Sequence, residues 1–324
     1  MIRLSAGTAA CLGLSGIKMD VYPTTAYLLS GYRCLMNCAF CPQGMGDNEA
    51  LKRLGRISWP EYNWSALAGK LSGAASEGLQ RICLQSVRHD DGIKTLHRQI
   101  EQIRSASNLP LSLSAWISGF EEAATLFALG VERISISIDV INPEAFQRIK
   151  GGLQQPRFQL LLDCAERYPG RLSTHLICGL GETEAEALVL INRLCQARIT
   201  VALFAFVPLR GTPLAGASPP PLDSYRRIQA ASFLLRRGAV SLEDLTFKNG
   251  RLVHFGLPES ELQLLLADGN AFETSGCPGC NRPYYDERPG GVIYNYHRPL
   301  TAVERKAALE DLLLNSGVNS TVRG

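Results

Sequence analysis

The sequence predicts an α/β chain whose core is a full or partial (β/α) barrel of the TIM type. Three observations lead there. Short β-rich runs alternate with longer amphipathic ones, the alternation continues through six strands, and no dinucleotide-binding glycine fingerprint follows the first strand. A chain of 324 residues, 46% hydrophobic and 19% charged, has the apolar content to bury such a core.

The strands are expected over residues 25–30, 81–85, 111–116, 133–138, 173–178 and 201–207, short apolar runs between turn-forming residues. Between them, 59–76, 93–105, 120–129, 156–168 and 183–196 carry apolar residues at helical spacing, which places helices outside a parallel sheet. Past 207 the texture changes. Five prolines fall in 208–221, a helix is expected over 222–237, and 246–255 reads as a hairpin turning at Asn249-Gly250. The stretch 276–296 is dense in Cys, Pro, Gly, Tyr and Arg without periodicity, which suits an ordered loop held by something other than a core. The organisation predicted is an N-terminal extension over 1–20, a barrel over 21–237 and a C-terminal region over 238–324, both ends lying over the barrel mouth.

Net charge is +3, with basic residues scattered among acidic ones, so no nucleic-acid surface is implied. Arg226, Arg227, Arg236 and Arg237 are expected on a solvated helix face. No stretch approaches the roughly 18 apolar residues that span a membrane. Residues 7–17 imitate a short signal-peptide core, but thiols clustered at metal spacing would be oxidised in a secretory compartment, so a cytoplasmic location is expected.

Three of the ten cysteines, Cys34, Cys38 and Cys41, form a C-x3-C-x2-C motif directly after the first strand, where barrel loops carry active sites. A structural zinc takes four protein ligands, whereas three thiolates on a [4Fe–4S] cluster leave one iron open. Cys277 and Cys280 form a C-x2-C among Gly and Pro, tight enough for both sulfurs to meet one metal. A redox dithiol would instead open a helix in a βαβ unit. Cys83 at the end of the second strand is the candidate third thiolate there, with Cys11 the alternative if the N-terminal segment crosses the mouth. Cys164, Cys178 and Cys195 read as small buried apolar residues, and His89, His254 and His297 form no metal triad.

The motif Cys34-Leu-Met-Asn-Cys38-Ala-Phe-Cys41 resembles that of the radical S-adenosylmethionine (radical SAM) superfamily, with a likeness over about residues 20–220. The resemblance implies S-adenosylmethionine chelated to the open iron and cleaved reductively to a 5′-deoxyadenosyl radical. It further implies that Phe40 lies against the adenine, and that Gly179 and Gly181 in the turn at 177–183 let the backbone approach the adenosyl group. Val207 and Leu209 would offer backbone atoms to adenine, and Ser137 and Asp139 would contact ribose or substrate. Gln85 and Ser86 stand where an acidic Gly-Gly-Glu stretch would receive the cofactor's amino group.

Residues 274–290, with Thr8-Ala9-Ala10 and Arg81-Ile82-Cys83-Leu84-Gln85, resemble the biotin synthase-related family that includes the two-protein lipoyl synthases. That implies sulfur insertion into an octanoyl chain on a lysine of a lipoate-carrier protein or domain. An auxiliary [4Fe–4S] cluster on Cys277, Cys280 and Cys83 would donate the sulfur, and Tyr284, Tyr285 and Arg288 would contact that cluster or the acyl chain. A homologous second radical enzyme and a reductant such as ferredoxin or flavodoxin are the implied partners. Biotin synthase is the alternative, with Cys83 at a cluster position, but the third strand has no Cys and Ser173 stands near where a fifth-strand Cys would be needed. The non-enzymatic alternative is a zinc-stabilised interaction module.

Overall fold

A computed structural model of the protein describes residues 1–45, 48–288 and 290–313. Its main sheet contains β1 (Ile2–Leu4), β2 (Thr25–Ser30), β3 (Glu61–Tyr62), β4 (Arg81–Ser86), β5 (Leu111–Ser114), β6 (Arg133–Ser135), β7 (Leu172–Cys178) and β8 (Thr200–Ala205). The order across it is β8-β7-β6-β5-β4-β2-β1-β3. From β2 to β8 every neighbouring pair is parallel, while β1 joins β2 and β3 antiparallel. All six parallel strands contribute to one interior cavity, yet β8 and β2 do not pair, so the barrel is partial and open on one side.

Alternation along each strand divides the two faces. Leu28, Ile82, Leu84, Leu111, Ile134, Leu176 and Val201 are buried under the outer helices, while Tyr27, Cys83, Ser112, Ser135, His175 and Phe204 line the interior. The outer layer includes α1 (Ala6–Cys11), α2 (Trp64–Ser72), α3 (Gly92–Ala106), α4 (Phe120–Ala128), α5 (Pro143–Lys150), α6 (Gln154–Arg167), α7 (Glu184–Gln196) and α8 (Leu222–Arg237). The helix expected from 59 starts only at Trp64. Pro60 interrupts it, Trp59 is buried in the interior cluster, and 61–62 become an edge strand. Helix α5 was not foreseen, although its start is well marked: the Asn142 side chain accepts from the Glu144 and Ala145 amides, and Pro143 occupies the first turn.

Both chain ends depart from the expected extensions over the mouth. The N-terminal segment adds β1 to the sheet and then descends to the lower, N-terminal end of the barrel strands. The C-terminal region shares the main core, which is continuous from Ile2 to Leu312. The hairpin Thr246–Lys248 and Arg251–His254 turns at Asn249-Gly250 as expected, both residues at positive φ. Arg226 and Arg227 are not solvated; they are 1% and 2% exposed. Arg227 grips Glu184 on α7 at 2.6 Å and Asp223 at 3.0 Å, and Arg226 donates to the carbonyls of Ile293 and Tyr294. Apart from Asp223, four residues back on α8, these partners lie far along the chain, so the local charge pattern of α8 could not reveal the burial. Among the described residues no helix is long and apolar enough to cross a membrane.

Candidate active site

The loop bearing Cys34, Cys38 and Cys41 leaves the upper end of β2 and is tied down on three sides. The Cys34 amide donates to the Gln43 carbonyl (2.8 Å), Leu35 to Arg88 (2.7 Å) and Ala39 to Ile149 (2.7 Å). Arg3 braces it from β1, donating to the Gly31 carbonyl and to Gln43 Oε1. Burial pushes the Cys38 thiol up to about 11, with Lys150 opposing the rise and Asp139 and Cys34 adding to it. Burial pushes Cys41 up to about 12, and both neighbouring thiols add to the rise. Thiols that oppose one another's ionisation in a buried pocket need a cation to become thiolates together, which suits a cluster's iron. The Met36 amide already points at Cys34 Sγ at 3.4 Å, the kind of donor that stabilises a ligating sulfur.

Below this loop lies a cavity of about 200 Å³. Cys41, Phe40, Val207 and Leu209 line its upper part, and Cys83, Cys277 and Cys280 line it further down. Burial raises the Cys83 thiol well above its ordinary range, and the charges of Cys277 and then Cys280 add to the effect, so the three sulfurs lie within electrostatic reach. Cys11 does not join them. Its thiol donates to the Glu77 carbonyl on the outside of the sheet. Among the described residues no three Cys, His, Asp or Glu side chains close at single-ion distance.

The segment carrying Cys277 and Cys280 occupies the open side of the barrel. On β8, the Leu203 amide donates to Ser275 Oγ (2.9 Å), the Leu203 carbonyl accepts from Arg282 (3.2 Å), and the Ala205 amide donates to Asp286 (3.3 Å). On the β2 side, the Thr24 amide donates to Asn281 Oδ1 (3.0 Å), and Tyr27 accepts from the Arg282 amide (3.1 Å). Free edge groups of β8 are thereby satisfied by a loop rather than by a strand. Individual sulfurs are held as well. Tyr27 Oη meets Cys280 Sγ at 3.2 Å, and Ser112 Oγ donates to Cys277 Sγ at 3.6 Å.

The comparisons with known proteins bear on this architecture. No family model matches the chain. It is 26% identical over 218 residues to the biotin synthase of Synechococcus sp. (strain JA-3-3Ab), covering 65% of this chain and 68% of that one. It is 25% identical over 165 residues to a probable GTP 3′,8-cyclase of Methanosarcina acetivorans, covering 48% and 47%. The fold is that of the FeFe-hydrogenase maturase HydG from Carboxydothermus hydrogenoformans, with a TM-score of 0.52 and 13% identity over 67% of this chain and 52% of that one. These likenesses point to the radical SAM enzymes as the proteins this chain is similar to. Its matched stretch spans two thirds of the biotin synthase and about half of the cyclase.

Within the barrel, the residues expected to meet the cofactor separate into two sets. Phe40, Gln85, Asp139, Val207 and Leu209 face the shared cavity. Ser137, Gly179 and Gly181 do not line it. Ser137 Oγ bonds His175 Nδ1 at 3.1 Å. The amides of Gly179 and Leu180 turn inward to Glu182, and a Cβ at Gly179 would meet Pro220 at 2.8 Å, so glycine there serves close packing. Asp139, at φ +63°, is ion-paired with Lys150 at 2.5 Å, and Gln85 donates to Tyr285 Oη at 3.3 Å. Tyr285 lines the cavity, Tyr284 meets the His297 ring at a tilt of 48°, and Arg288 is exposed outside it. Pro289, within the expected tail motif, lies outside the described residues.

Several site residues were missed in the sequence. Lys150 comes from the unforeseen α5, and Asn142-Pro143 was the available signal for that helix. His175 is half-buried in the cavity wall, its pKa lowered to about 4 chiefly by desolvation, and its ring meets Phe204 edge-on. Arg282 lies over the Phe204 ring at 4.2 Å with one nitrogen 3.9 Å from Cys280 Sγ. Gln85, Ser114, Ser135 and Ser173 are successive partners across four strands, giving a band of polar side chains just above Cys83. The strict alternation in Leu111-Ser112-Leu113-Ser114 and Ile134-Ser135-Ile136-Ser137 was the available signal for this polar inner face.

Proposed function

We propose that the chain is a radical SAM sulfurtransferase that inserts sulfur into an unactivated C–H bond of a protein-bound octanoyl chain, as one component of a two-protein lipoyl synthase. The observation that carries the reading is the placement of two thiol groups along one cavity, Cys41 with its loop above and Cys83, Cys277 and Cys280 below. When bound, S-adenosylmethionine on the upper cluster supplies a 5′-deoxyadenosyl radical that takes hydrogen from carbon, and the lower cluster supplies the sulfur. Phe40, Val207 and Leu209 would seat the adenosyl group. Ile177, Phe204 and Phe206 form an apolar wall for the acyl chain between the two thiol groups. An acyl chain seated against this wall would displace water and hold the reacting carbon where a short-lived radical meets sulfur before other donors quench it.

Sulfur insertion into a small molecule, as in biotin synthase, is the second reading, favoured by the likeness to that enzyme and by the polar band of Gln85, Ser114, Ser135 and Ser173. Mass spectrometry of an octanoylated carrier domain after anaerobic turnover separates the two. Gain of one sulfur by the carrier supports the octanoyl reading. No gain on any octanoylated carrier, with thiolation of a free carboxylate substrate instead, moves the chain to the second.

A further inference from the structure

Beside the cavity, outside both thiol groups, lies a cluster of like charges that the reaction does not use. A short hairpin, Arg53–Leu54 and Ile57–Ser58, turns tightly at Gly55 with φ +61°. A Cβ on Gly55 would sit 3.5 Å from the Tyr285 carbonyl, and Leu54, Gly55 and Tyr285 all line the cavity. The hairpin tip and the 285–288 segment therefore form one edge of the entrance. Arg53, Arg56 and Arg288 flank that edge, Arg53 and Arg288 exposed and Arg56 half-buried. Burial, then Arg288, then Arg53 pull the Arg56 pKa down against an opposing pull from Glu287, so the Arg56 guanidinium feels both of its basic neighbours.

Among the described residues none of the three forms an ion pair. Neighbouring acids are otherwise engaged: Glu287 is buried and accepts from the Tyr294 and Asn295 amides, and Glu49 pairs with Lys52 at 2.5 Å. The hairpin is also anchored. Gln43, two residues beyond Cys41, donates to the carbonyls of Leu51 and Arg53, and Arg3 donates to the Leu51 carbonyl. Gathering three unpaired cations on a braced hairpin costs repulsion, which a complementary anionic partner removes.

We propose that Arg53, Arg56 and Arg288 form a recognition rim for an acidic surface surrounding the acylated lysine of the carrier domain, aligning that side chain with the entrance to the cavity. The proposal rests on the octanoyl reading and names the character of its partner. Charge selects an acidic occupant, and the position of the rim, bordering the cavity through Gly55 and Tyr285, selects the one that must send a side chain inward.

The test is binding of synthetic peptides to the anaerobically reconstituted protein. One carries octanoyl-lysine flanked by aspartates, a second has serines in their place, and a third keeps the aspartates around acetyl-lysine. The aspartate peptide should bind about tenfold or more tighter than the serine peptide at low salt, with a steep salt dependence. The triple variant Arg53→Gln/Arg56→Gln/Arg288→Gln should erase that preference, and the corresponding Lys triple variant should restore most of it, which separates charge from folding. Equal binding of the first two peptides, or a preference unchanged in the Gln variant, overturns the rim. If the variant slows only electron delivery by a reduced flavodoxin-type protein, the patch serves the reductant and the proposal fails. If the aspartate preference depends on the arginines but acetyl-lysine binds as well as octanoyl-lysine and no carbon–sulfur bond forms, the rim stands and the octanoyl reading falls.

Discussion

Tyr27 on β2 and Cys280 on the C-terminal segment meet at 3.2 Å across the side of the barrel where β2 and β8 leave a gap, 253 residues apart in sequence. The same phenol accepts the Arg282 amide, so one side chain orients both the sulfur and the backbone that carries it. Tyr27→Phe should leave the upper thiol loop intact and loosen the lower one. The expected outcome is faster release of the second cluster's iron to a chelator, with 5′-deoxyadenosine formation retained. Equal iron release from the variant and the parent protein would show that the contact orients nothing.

Replacement of any one of Cys34, Cys38 or Cys41 by Ala should abolish 5′-deoxyadenosine formation, because two thiolates cannot hold a cubane with its open iron toward the cofactor. Undiminished reductive cleavage by Cys38→Ala would sink the radical assignment.

The lower thiol group separates Cys83 from Cys11. Cys83→Ala and Cys277→Ala should each lose about half of the roughly eight irons that two cubanes hold, cleave the cofactor and form no carbon–sulfur bond. Cys11→Ala should keep its full iron, since its thiol faces the Glu77 carbonyl rather than the cavity. Iron loss in Cys11→Ala but not in Cys83→Ala would reverse the choice of third ligand, and zinc in place of iron and sulfide would point to a structural module.

His175 makes the fold sensitive to acid. Its folded pKa of about 4 lies below the ordinary value of 6.5, so the neutral ring is favoured in the native state. The unfolded chain binds a proton first, and the stability held above pH 6.5 is lost as the pH falls toward 4, by a few kcal/mol in order of magnitude. His175→Gln should flatten the urea-denaturation midpoint across that window. A parent protein whose midpoint does not move between pH 7 and pH 4.5 would contradict a half-buried neutral imidazole.

The Arg227–Glu184 pair locks α8 to α7 with both side chains nearly inaccessible. Arg227→Met should cost about 3–5 kcal/mol by leaving Glu184 buried without its partner, read as a lower urea midpoint. Adding Glu184→Leu should recover most of the loss. A single variant as stable as the parent would mean that water reaches the carboxylate.

The proposed two-component reading predicts that the chain leaves an octanoylated carrier with a single sulfur and that a homologous second radical enzyme completes the lipoyl group. Full conversion by this chain alone, at normal stoichiometry, would end the two-component reading.

The sequence by itself determined what depends on neighbours along the chain. Parallel strands buried on both faces leave apolar runs, and each of the six expected ones lies in the sheet. The C-x3-C-x2-C loop is equally local, since eight residues suffice to display its spacing. Only the tertiary structure decided which distant groups share a space. It brought Cys83 beside Cys277 and Cys280 while leaving Cys11 outside, buried Arg226 and Arg227, and set the 275–286 segment against β8 in place of a closing strand. These outcomes turn on hydrogen bonds and burial between residues far apart in sequence. Their energies arise when the chain closes on itself and leave no periodicity in the sequence.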